Sequence, residues 1–184
     1  MSNPAFIVDG FTEKNIIDRI CPRKPIRRTD LNGRDVTLDA IAERLAMHIR
    51  LLSNNYYPII IIIDKETRDI STQEMAEYLL CKLEELGVKN QDIRISVADR
   101  MIENWLVGDK SIFNADDKLP ENTDGLNGAS ILRKKFGTYS KATDCLKLIN
   151  SFNAKEAYAN SPSFKEFIDK IDDLECYLAK AAKE

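Results

Sequence analysis

The chain has 184 residues, with 27 Lys and Arg against 30 Asp and Glu for a net charge of -3. That length allows one domain with a real core, and the charge offers no overall attraction to nucleic acid, so a polyanion would need a local basic patch. No apolar run approaches membrane-spanning length, and the start Met1-Ser2-Asn3-Pro4 lacks the basic stretch and hydrophobic block of a signal peptide.

The first apolar run, Ala5-Phe6-Ile7-Val8, reads as a strand ending in Asp9-Gly10. Thr12 suits the cap of a helix running to about Arg19, with Glu13 in a first turn that favours a carboxylate. Two close prolines in Cys21-Pro22-Arg23-Lys24-Pro25 stop that helix. Ile26 to Thr29 fits a short second strand, and Asn32-Gly33 a turn. From Thr37 to Leu52, residues Leu38, Ile41, Leu45, Met47, Ile49 and Leu52 fall on one helical face.

Five consecutive isoleucines, Ile59 to Ile63, then break into Asp64-Lys65-Glu66. A β-branched run of this kind has no stable place except a central strand buried on both faces, as in a parallel sheet. Ser71 with Glu74 three residues on forms a capping-box pattern. The helix it opens carries Met75, Leu79, Leu80, Leu83 and Leu86 as its buried stripe, packs Cys81 as a small apolar residue, and stops at Gly87. Ile93 to Val97 is the next strand. A short helix from Asp99 to about Leu106 follows, with Ile102, Trp105 and Leu106 in the core.

This order predicts an α/β fold with a mostly parallel central sheet flanked by helices over residues 1–110. Asn114 to Gly128 is a loop by composition. Ser130–Phe136, Ala142–Asn150 and Ser163–Ala182 read as helices, the last opened by Ser161-Pro162-Ser163. Residues 111–184 are therefore expected as a helical extension packed on the core within a single domain. The four cysteines, Cys21, Cys81, Cys145 and Cys176, show none of the close pairing of zinc sites, and the expected compartment is a reducing cytoplasm.

The candidate chemistry lies where strands end. Open α/β sheets place ligands at the carboxyl ends of their strands, and here two strands deliver Asp9, Asp64 and Glu66 to that edge. Such a set suits Mg²⁺ or Mn²⁺, which take oxygen ligands and keep waters or substrate phosphate for the rest. On an extended segment, residues 64 and 66 point the same way and can share one cation. The bland reading of strand-end acids is that they cap helix amides or meet solvent. Glu13 either assists the site or serves its helix; Glu103 either pairs with Arg100 or points into the site. Lys65 faces away by alternation, and Asp109 after Gly108 reads as a turn residue. Arg27 and Arg28, within a group that includes Arg23, Lys24 and Arg34, are candidate phosphate contacts, and Arg133-Lys134-Lys135 is a second basic group. The single histidine, His48, lies outside every motif, which argues against histidine-based nucleases and Ser-His hydrolases. No Gly-rich phosphate loop occurs. A phospho-acceptor receiver would need paired acids after the first strand and a lysine after a late one.

Val8-Asp9-Gly10-Phe11-Thr12-Glu13 and Ile62-Ile63-Asp64-Lys65-Glu66 resemble the acidic motifs of the toprim superfamily, which includes topoisomerases, primases and OLD-type nucleases. The stretch Arg100 to Asp109, Tyr139-Ser140-Lys141 and Ser161-Pro162-Ser163-Phe164 are similar to elements of small toprim-like bacterial proteins, some encoded near ATPases in defence-type clusters. The resemblance implies a Mg²⁺-dependent nuclease or related phosphoester hydrolase acting on DNA or RNA. It further implies a phage-defence role, an ATPase partner and possible oligomers. It assigns metal to Asp9, Asp64 and Glu66, catalysis to Asp9, Glu13 and Glu103, and substrate contact to Lys141 with Arg27 and Arg28. The family has Glu at the position of Asp9 and Asp at that of Glu66. These two departures support the alternative of a catalytically degenerate regulatory or interaction subunit.

Overall fold

A computed structural model describes residues 2–31, 35–114, 116–140 and 144–183. Four parallel strands, β1 (Ala5–Val8), β2 (Ile26–Arg28), β3 (Ile59–Asp64) and β4 (Ile93–Ala98), form one sheet in the order β2-β1-β3-β4. Register sets Val8 beside Arg28 on one side and Ile62 on the other, and Asp64 beside Ala98. The α/β architecture is that expected from the alternation of apolar strands and amphipathic helices.

The strand order fixes which face each helix covers. The chain steps from β1 to β2 in one direction, then from β2 past β1 to β3 and β4 in the other. Because such crossovers are right-handed, α1 (Phe11–Ile20) lies on one face while α2 (Leu38–Leu52) and α3 (Thr72–Glu85) lie on the opposite face. Side-chain alternation divides the core accordingly. Ala5, Ile7, Ile59, Ile61 and Ile63 pack against α2 and α3; Phe6, Val8, Ile60 and Ile62 pack against α1 and the later helices. All six residues of β3 are buried, as the isoleucine run requires.

The later helices are α4 (Glu103–Gly108), α5 (Gly128–Phe136), α6 (Asp144–Asn150), α7 (Ala154–Asn160), α8 (Pro162–Lys170) and α9 (Tyr177–Lys183). They share one core with α1, centred on Trp105, which stacks on Phe167 at 5.0 Å and meets Phe164 at 5.3 Å. Arg94 of β4 reaches the Lys170 carbonyl and the Asp173 carboxylate, tying the sheet's outer edge to the end of α8.

Several local expectations change. Gly10, not Thr12, precedes α1, and Glu13 reaches back to accept from the Gly10 amide at 2.9 Å. The helix expected from Asp99 begins at Glu103, because Arg100 adopts a left-handed φ of 72°. The long terminal helix is two, broken between Ile171 and Cys176, and α7 precedes them. Met47, Leu80 and Cys81 are exposed. Cys21 and Cys176 are joined in a disulfide across 155 residues. Distance along the chain hides a pairing that the fold creates in space, and a disulfide is at odds with the reducing compartment expected from the cysteine spacing. The Asn32-Gly33 turn, Arg34 and Lys141 lie outside the described residues.

Candidate functional site

The point where the chain reverses its direction across the sheet lies between β1 and β3, and a crevice at such a switch point is where open α/β sheets take ligands. Asp9 leaves β1 there and Asp64 ends β3 beside it. Asp9, Thr29, Asp64, Glu66 and Arg68 line a narrow cleft floored by Leu31, Ile41 and Ile63, with about 10 Å³ of room. That is the scale of one water or ion.

Within the cleft, Asp9 and Glu66 are the coupled pair. Glu66 has a left-handed φ of 59°, so it leaves the extended geometry that would have set it beside Asp64. Burial pushes the Asp9 carboxyl above its ordinary value. The Thr29 hydroxyl, donating to Oδ1 at 2.8 Å, draws it back, and the Glu66 charge raises it again. Arg68 lowers it slightly. The Arg68 guanidinium donates to the Lys65 and Val36 carbonyls, at 3.1 and 2.7 Å.

Asp64 serves the other face. By alternation it follows Ile60 and Ile62 rather than Ile61 and Ile63, and its Oδ1 accepts from the buried Ile102 amide at 2.9 Å. This is the helix-capping role of a strand-end acid, here just before α4. Strand alternation thus turns the Asp64 carboxylate to the Ile102 amide, although the residue still lines the cleft with Asp9. Among the described residues no group of three or more His, Cys, Asp or Glu side chains is already placed to hold a metal ion. Asp9 and Glu66 nonetheless fit a hard divalent cation, for which one or two protein carboxylates suffice when substrate phosphate completes the shell.

The other expected residues lie elsewhere. Glu13 is buried and engaged with Gly10. Glu103 is fully buried at the start of α4, near Tyr139, whose hydroxyl is raised by burial first, then by Cys145 and Glu103. Asp109 is the buried turn residue expected, accepting from Ser111 and from the Asn153 amide. Lys65 points away from the cleft and pairs with Asp99 at 2.7 Å. Arg27 and Arg28 alternate to opposite faces of the edge strand. Arg28 stacks over the Phe11 ring at 4.9 Å and pairs with Asp30 at 3.6 Å. Arg27 lies near His48, whose pKa is lowered by burial, then by Arg44 and Arg27. Neither lines the cleft.

Sequence reasoning missed Thr29 and Arg68. Thr29 was legible as the end of the second strand, one step across the sheet from Asp9. Arg68 gave no signal, because its anchor, the Val36 carbonyl, is 32 residues away. Also unremarked was that Asp99 follows β4, so β1, β3 and β4 each run into an aspartate. Comparison of the chain with protein-family models, with curated proteins and with solved structures gave no match in any of the three.

Proposed function

We propose that the protein is a divalent-metal-dependent phosphoester hydrolase acting on nucleic acid, in keeping with the toprim-like motifs. The observation that carries this reading is the placement of Asp9 and Glu66 with an anchored arginine in one cleft at the sheet's switch point. Asp9 and Glu66 would hold Mg²⁺ or Mn²⁺, which supplies charge to polarise a phosphate ester and acidify water. Thr29 fixes the Asp9 carboxylate by donating its hydroxyl to Oδ1. Arg68, anchored through the Lys65 and Val36 carbonyls, would bring its positive charge near a bound phosphate. Asp64 keeps α4 in register behind the rim. A cytoplasmic location and an ATPase partner, of the kind the resemblance implies, are part of the proposal. No described helix is long and apolar enough to cross a membrane.

A regulatory subunit without catalysis is the second reading, favoured by Asp64 being engaged with the Ile102 amide and by Arg68 standing within the cleft. Titration with Mg²⁺ and Mn²⁺ beside Asp9→Ala, Glu66→Gln and Asp64→Ala, followed by cleavage assays on DNA and RNA, separates the two. Metal-dependent cleavage lost in Asp9→Ala and Glu66→Gln supports the hydrolase. Metal binding without cleavage supports the regulatory subunit, and the absence of both ends the metal reading.

A further inference from the structure

A second cavity lies at the opposite end of the sheet from the cleft, between the turn joining α1 to β2 and the junction of α8 with α9. It has about 650 Å³ of room, within the range of sites for small molecules. Arg23 and Lys24 line one wall, Lys180 and Glu175 the other. Among the described residues, none of these three cations makes an ion pair with a carboxylate. Elsewhere the surface pairs its cations readily: Lys82, Arg94, Lys135, Lys165, Lys170 and Lys183 all meet acids. Three cations facing one acid leave an excess of positive charge on a chain whose net charge is -3.

The two walls come from segments 155 residues apart and are joined where they meet by the Cys21–Cys176 disulfide. Cys176 itself contributes to the lining. A covalent brace of this kind fixes the spacing of the cations before any ligand arrives, which lowers the ordering cost of binding. At the rim stands Tyr177, 68% exposed. Such a ring costs hydrophobic exposure and offers a face for stacking another flat ring.

We propose that this cavity binds a small phosphate ester carrying a flat ring, the chemistry of a nucleotide. Arg23, Lys24 and Lys180 take the phosphate oxygens, and Tyr177 stacks on the ring. Glu175 is placed to accept from a hydroxyl or amine of the ligand. The site is separate from the cleft and stands whether or not the cleft hydrolyses nucleic acid.

The test is calorimetric titration of the full chain with inorganic pyrophosphate and with adenosine 5′-monophosphate, without divalent metal so that the acidic cleft cannot contribute. The expected result is saturable binding of both, weakened about tenfold or more in Lys24→Ala/Lys180→Ala, since each charge-assisted contact is worth about a factor of ten. Tyr177→Ala should weaken the monophosphate and leave pyrophosphate unchanged. Lys180 and Tyr177 are exposed and Lys24 is half-buried, and an unchanged melting temperature verifies the fold of each variant. Treatment with a dithiol, which takes the disulfide to two thiols as it is itself oxidised, should weaken both ligands. No saturation by about 10 mM for either probe, or binding indifferent to the lysine substitutions, overturns the proposal. Binding lost with the lysines but indifferent to Tyr177 overturns the ring-stacking part and leaves a phosphate site.

Discussion

At the scale of single residues, Asp9 carries a conflict between stability and chemistry. Burial first, and then Glu66, hold its folded pKa above the ordinary 3.8. A carboxyl raised by folding favours the native state only while protonated. Its contribution is therefore fullest below about pH 3.8 and is lost as pH rises through the folded value. Asp9→Asn keeps an acceptor for Thr29 and removes the charge. It should melt higher than the parent at pH 7, with the difference shrinking as pH approaches 3.8, while divalent-metal affinity falls. A variant that melts lower at pH 7 would show that Asp9 is ionised at little cost. Thr29→Val removes the bond that lowers the Asp9 pKa. NMR titration of the Asp9 carboxyl should then show a further upward shift in that variant.

At the scale of elements, what was legible followed from local periodicity. β3 was visible because five isoleucines leave one option, and α3 because Ser71 and Glu74 close its capping box in the structure as in the pattern. The short α7 was missed because seven residues hold too little periodicity, although Asn153 caps it by accepting from the Glu156 amide. The break between α8 and α9 was illegible for a different reason: Cys176 is drawn to Cys21, a partner no local window contains. In the candidate site, the acids at strand ends were legible. That Glu66 joins Asp9 in the cleft depends on its leaving the strand geometry, which no residue nearby announces. The helices after the break are joined by charge. Burial pushes the Asp169 carboxyl upward, but Lys165, Lys183 and Tyr158 overcome it and bring the pKa down to about 2. A lowered carboxylate contributes above its unfolded value of 3.8 and loses that contribution as pH falls toward about 2. The protection factors of the α9 amides, taken relative to their intrinsic exchange at each pH, should thus fall below about pH 4, and Asp169→Asn should show the lower protection already at pH 7. The effect should be modest, because exposed pairs are screened by solvent.

For the molecule as a whole, the late helices are integral to the fold. Trp105, Phe164 and Phe167 form one fully buried aromatic cluster with Phe6 and Ile60 of the sheet in the same core. Trp105→Ala should cost about 3–5 kcal/mol, read by denaturant titration, with sheet and helices unfolding together. A separate early transition for the helical part would contradict a shared core. The Cys21–Cys176 bond closes 155 residues, and loop-closure entropy assigns such a link about 5 kcal/mol of stability at most. Cys21→Ser/Cys176→Ser should therefore unfold at markedly lower denaturant than the oxidised parent.

That same bond makes most of the polypeptide a covalent ring, with only the first twenty residues and the last eight outside it. A protease nick anywhere inside the ring, the polar stretch between Phe113 and Gly128 being the natural target, would leave both fragments attached. The nicked protein would migrate near full size on a gel until a thiol is added, and only then part into two bands.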